Sequence, residues 1–134
     1  MDNQYKLLII DDNEEILSTL YDYFKTKYNV VTASNGLDGL KLIEKEKKGF
    51  DLVITDIVMP NISGIGIISI IKQKNPDAPI VAITGWGKYP ELLAIEVQAD
   101  LVLEKPFNLL ELDRHVAELI KKTIRPQIHT DERR

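Results

Sequence analysis

The chain has 134 residues, of which 44% are hydrophobic and 28% charged, and its formal net charge is −4. That is one domain's worth of an ordinary globular mix, with an acidic balance that gives no sign of a nucleic-acid surface. The absence of cysteine excludes disulfides, thiolate metal sites and thiol nucleophiles, and His115 and His129 are too few and too far along the chain for a histidine-rich metal site.

No apolar run approaches membrane-spanning length, so no membrane contact is expected. Met1 leads into Asp2-Asn3-Gln4, not a basic stretch and an apolar core, so the expectation is a cytoplasmic protein without a secretory signal.

Lys6 to Ile10 is a short apolar run that stops at Asp11-Asp12, as a buried strand ending in acid would. Asn13 can cap the next helix, with Glu14 and Glu15 favourable at its positive end. Ile16, Leu17, Leu20, Tyr23 and Phe24 then fall on one helical face. Tyr28 to Thr32 is a second strand. Asn35 can cap a second helix with Leu37, Leu40 and Ile43 inward, a solvated face to Lys48, and an end at Gly49.

Phe50 to Asp56 is the stretch around which the rest is organised, a branched apolar run that ends abruptly on a carboxylate. Met59-Pro60-Asn61-Ile62-Ser63-Gly64 reads as a loop. A helix with Ile65, Ile68 and Ile71 follows and stops at Asn75-Pro76. Pro79 to Thr84 is the fourth strand, then the Gly85-Trp86-Gly87 loop and a short fourth helix from Pro90 through Val97. Leu101-Val102-Leu103 is the fifth strand, followed by Glu104-Lys105-Pro106. Asn108 and Glu111 open the last helix, with Leu109, Leu112, Val116, Leu119 and Ile120 inward. Arg125 to Arg134 reads as a frayed tail.

Five strands alternating with five helices predict an α/β fold, a parallel sheet with helices on both faces. Such a sheet brings its strand ends to one edge, here Asp11, Asp12, Asp56, Thr84 and Lys105. Three clustered carboxylates repel and call for a cation. Oxygen-only ligands point to a hard divalent ion, most naturally Mg²⁺. An ammonium and a hydroxyl suit phosphoryl oxygens, and a carboxylate can itself be the nucleophile, forming an aspartyl-phosphate.

From about Lys6 to Lys122 the chain resembles the response-regulator receiver domains of two-component signalling, including the chemotaxis regulators. The resemblance rests on Asp11-Asp12, the run into Asp56, Met59-Pro60 with Gly64, the strand into Thr84, and Lys105-Pro106-Phe107. It implies a flavodoxin-like sheet of order 2-1-3-4-5. It also implies residue roles. Asp56 is the phosphoacceptor. Asp12 and Asp56 ligate Mg²⁺ directly, Asp11 through water, and the Val58 carbonyl completes the protein ligands. Lys105 pairs with the acceptor and then with the phosphoryl group, and Thr84 moves to bond it.

The implied function is a phosphorylation-activated signalling switch. Its donor would be a phosphohistidine on a sensor histidine kinase or a phosphotransfer protein. The receiver itself would catalyse transfer and slow hydrolysis, and would not be a classical enzyme. Its output would be a downstream protein or a fused output domain, reached through the surface of the fourth helix, fifth strand and fifth helix, where a homodimer also fits. The expected division is a receiver over residues 1–124, with 125–134 a flexible tail or the start of a linker.

Three positions depart from the family pattern. Val102 stands where an aromatic residue usually completes the switch, so no ring can swing there. Trp86 and Val58 occupy the positions that tune hydrolysis, and neither can act as a base, which predicts a long-lived phosphorylated form. Each site residue also has a plainer reading: capping acids for Asp11 and Asp12, a turn residue for Asp56, a strand end for Thr84, a solvated lysine for Lys105 and a surface anchor for Trp86. Two rivals follow, a small phosphatase working through an aspartyl-phosphate and a receiver that acts by protein binding alone. Val58 counts against the first, since such phosphatases commonly place an aspartate there. The full set of site residues counts against the second.

Overall fold

Asparagine side chains start three of the helices. Asn13 accepts the backbone N–H groups of Glu15 (3.0 Å) and Ile16 (3.1 Å), Asn35 that of Asp38 (2.8 Å), and Asn108 that of Glu111 (3.0 Å). Each bond satisfies a donor that the first helical turn leaves without a partner.

The computed structural model describes residues 5–57, 64–85 and 98–132. In chain order these form β1 (Lys6–Ile10), α1 (Glu14–Phe24), β2 (Asn29–Ala33), α2 (Gly36–Lys45), β3 (Leu52–Asp56), α3 (Gly64–Lys74), β4 (Ile80–Thr84), β5 (Leu101–Glu104) and α4 (Leu109–Glu132). The strands make one sheet of order β2-β1-β3-β4-β5, and every neighbouring pair is parallel. The expected helix from Pro90 through Val97 lies outside the described residues.

Side chains alternate along each strand and so feed two cores. Leu7, Ile9, Leu52, Ile54, Val81 and Ile83 pack with Leu20 and Phe24 of α1 and with Leu112, Val116 and Ile120 of α4. Leu8, Ile10, Val53, Ile80, Ala82 and Val102 pack on the other face with Ile43 of α2 and with Ile67, Ile68 and Ile71 of α3. Full burial of each such side chain is worth about 1.5–3 kcal/mol. That explains how α3 forms from a β-branched sequence of weak helix propensity.

One face and one boundary differ from the sequence expectation. Leu37 points outward and is 53% exposed, while Gly36 and Gly39 turn inward with Ile43. The cause is close approach: a Cβ on Gly39 would stand 2.6 Å from Ile10 Cδ1, so glycine lets α2 sit against β1. α2 ends at Lys45, before the expected Lys48. Gly49, at φ +80°, serves the turn that follows, where its N–H donates to the Glu46 carbonyl (3.1 Å). α4 spans Leu109–Glu132 and so includes the start of the stretch expected as a tail from Arg125.

Candidate functional site

The sheet order places β2 and β3 on opposite sides of β1, so the chain leaves the ends of β1 and β3 in opposite directions. The crevice between those ends is where open α/β sheets bind ligands. Asp11 follows β1 there and Asp56 closes β3, while Thr84 ends β4 and Lys105 follows β5. Alternation aligns them further. Asp11 continues the Leu7, Ile9 side of β1, Asp56 the Leu52, Ile54 side of β3, and Lys105 the Leu101, Leu103 side of β5.

Lys105 is the hub. Its Nζ lies 3.3 Å from Asp56 Oδ2 and 3.3 Å from Asp11 Oδ2. Burial pulls its pKa down, but the Asp11 and Asp56 carboxylates outweigh this and hold it above the ordinary lysine value. Asp11 and Asp56 are buried, as is Thr84, whereas Asp12 is exposed. Asp11 Oδ1 accepts the Asn13 N–H (2.8 Å), and its Oδ2, fully buried, has no hydrogen-bond partner among the described residues and faces the Lys105 ammonium charge. The Lys105 N–H donates to the Thr84 carbonyl (2.8 Å), fastening the loop after β5 to the end of β4. The Lys105–Pro106 peptide is cis.

One carboxylate oxygen from each of Asp11, Asp12 and Asp56 lies within 4.8 Å of the others. An oxygen-only set with an unbonded buried oxygen fits a small hard cation such as Mg²⁺. Five of the expected site residues are thus gathered at one edge. The sixth, Val58, lies outside the described residues, as does Trp86. Val102, in β5, is buried against the α2–α3 side of the sheet. Thr55 is a further residue at this edge, absent from the sequence expectation: its buried hydroxyl donates to the Asp56 carbonyl (3.0 Å). A single hydroxyl inside an apolar strand run was the available signal.

A five-stranded parallel sheet with an acid cluster and a lysine at its switch point defines the class: a flavodoxin-like α/β domain with an acidic site at its sheet edge. The family model for the response regulator receiver domain matches residues 7–117. The chain belongs to that family, whose members are phosphorylation-activated switches of two-component systems and not classical enzymes.

It is 32% identical over 120 residues to the alkaline phosphatase synthesis transcriptional regulatory protein PhoP of Bacillus subtilis, covering 88% of this chain and 49% of that protein. The chain therefore spans about half the length of the curated relatives it matches. Among solved structures, a receiver domain protein from Clostridium thermocellum superposes with TM-score 0.78 at 29% identity, over 95% of this chain and 99% of that one. The response regulator TrrA from Thermotoga maritima, in complex with Mg²⁺–BeF, gives TM-score 0.75 at 34% identity, over 87% and 99%. No helix among the described residues is long and apolar enough to cross a membrane.

Proposed function

We propose that Asp56 is the phosphoacceptor of this receiver, that Asp11, Asp12 and Asp56 hold Mg²⁺ with the Val58 carbonyl, and that Lys105 and Thr84 take the phosphoryl oxygens. The observation that carries this reading is the Lys105 ammonium placed 3.3 Å from Asp56 Oδ2 and from Asp11 Oδ2 at the sheet's ligand-binding edge. An Asp56 oxygen forms the new P–O bond as the P–N bond of a donor phosphohistidine breaks. Lys105 orients that oxygen beforehand and pairs with the phosphoryl charge afterwards. When bound, Mg²⁺ offsets the carboxylate cluster and the phosphoryl charge.

The donor is a sensor histidine kinase or a phosphotransfer protein, and the site lies in the cytoplasm. The readout reaches a downstream protein or a fused output domain through the surface that β5 shares with the predicted Pro90 to Val97 helix and α4. A homodimer can use the same surface, and the receiver itself contacts no nucleic acid. Residues 125–134 serve as a flexible tail or the start of a linker.

The test is intact mass after incubation with acetyl phosphate and Mg²⁺, with Asp56→Ala alongside. The expected result is one phosphoryl group on the parent, none on Asp56→Ala, and none when EDTA is present. Labelling of Asp56→Ala on another residue would falsify the assignment. A chase of the labelled parent then checks the expected slow hydrolysis.

A further inference from the structure

Four polar side chains are buried among the described residues: Asp11, Thr55, Asp56 and Thr84. All four lie toward the C-terminal edge of the sheet, and the proposed site uses three. Thr55, 0% exposed, is the fourth. Its register neighbours are Ile10 and Ala82, so its surroundings are apolar. Valine has nearly the same shape, suits a strand better and carries no hydroxyl to desolvate. A threonine here therefore has its use in the hydrogen bond it makes.

That bond runs from Thr55 Oγ1 to the Asp56 carbonyl oxygen (3.0 Å). The carbonyl belongs to the peptide joining Asp56 to Ile57, whose N–H donates to the Ile83 carbonyl (2.9 Å). Both polar groups of one planar unit are thus tethered, the N–H to β4 and the C=O to the preceding side chain. Because the unit is planar, fixing it sets ψ of Asp56 and φ of Ile57 together. Those two angles aim the Asp56 Cα and the backbone that leaves β3.

We propose that Thr55 is a positioning residue: its hydroxyl locks the Asp56–Ile57 peptide so that the Asp56 carboxylate is presented to Lys105 and the incoming phosphoryl group. This rests on Asp56 being the acceptor. Displacing a reacting group slightly lowers rates steeply, so loss of the lock slows phosphorylation about tenfold or more.

The experiment compares Thr55→Val, Thr55→Ala and Thr55→Ser with the parent. It measures the rate of labelling by acetyl phosphate, the melting temperature, and hydrogen exchange of the Ile57 amide without metal. Thr55→Val is expected to label slowly and exchange faster at Ile57 while melting no lower than the parent. Thr55→Ala should share the first two effects, and Thr55→Ser should match the parent. Parent-like labelling and exchange in both hydroxyl-free variants overturns the proposal, and so does Thr55→Ser as slow as Thr55→Val, which would place the effect in methyl packing. If the parent itself takes no phosphoryl group, the acceptor reading fails, and unchanged Ile57 exchange in Thr55→Val then overturns the lock independently.

Discussion

Two of the lysines that meet aspartates among the described residues, Lys27 and Lys105, do so differently. Lys27, 46% exposed, meets Asp113 Oδ2 at 2.8 Å, and the same oxygen accepts the Tyr23 hydroxyl at 2.9 Å. Lys105, 22% exposed, divides itself between Asp11 and Asp56 at 3.3 Å each. The surface contact is the shorter and the better satisfied. It joins the turn after α1 to α4, one ammonium to one carboxylate.

The contact in the crevice is longer and leaves charge over: one ammonium faces two buried carboxylates, with Asp12 close by. A finished ion pair holds a fold together, whereas an unfinished one keeps capacity for a cation and a phosphoryl group. Short distance is therefore a poor guide to which lysine matters for chemistry.

Removing each lysine separates the two roles. Lys105→Ala should slow labelling by acetyl phosphate on the order of 10²-fold, the scale for losing a preorganised charge at a reacting group. Added Mg²⁺ should then raise its melting temperature more than the parent's, because the carboxylates have lost their cation. Lys27→Met should leave labelling at the parent rate and cost no more than about 1 kcal/mol in denaturant unfolding, as exposed pairs do. Slow labelling in Lys27→Met would break the comparison.

The smallest effect is in pH. Burial pushes the Asp113 pKa up, but hydrogen bonds from Lys27 and Tyr23 outweigh this and hold it below the ordinary aspartate value. A depressed pKa stabilises the fold above the unfolded value near ~4 and loses that contribution as pH falls through the folded one. The stability difference between parent and Asp113→Asn should therefore be present at neutral pH and vanish on acidification below about pH 4.

Much of this was legible in the sequence, because apolar runs ending in acid, asparagine caps and alternation of element types are local signals. Strand ends at one edge follow from parallel topology, so Asp11, Asp12, Asp56, Thr84 and Lys105 were found together. What escaped was set by contacts across elements. Leu37 shares helical spacing with Leu40, and only the approach of α2 to Ile10 shows that Gly39 must face the sheet instead. Nor does the spacing of Asp11 and Asp12 say which one Lys105 meets. The side of the strand decides that. Thr55 looked like one more β-branched strand residue until its hydroxyl was seen to have a single destination.

The side-alternation that brings Asp11, Asp56 and Lys105 together has a consequence for folding fidelity. The three groups come from three strands, and β4 stands between two of them. A one-residue slip in any of these pairings turns a whole strand over and carries its charged group to the opposite face. A misthreaded sheet could keep nearly all its secondary structure and much of its apolar burial, yet its ammonium and carboxylates would no longer meet. The fraction of a preparation able to take up a phosphoryl group would then count correctly threaded molecules, a quality that circular dichroism would miss.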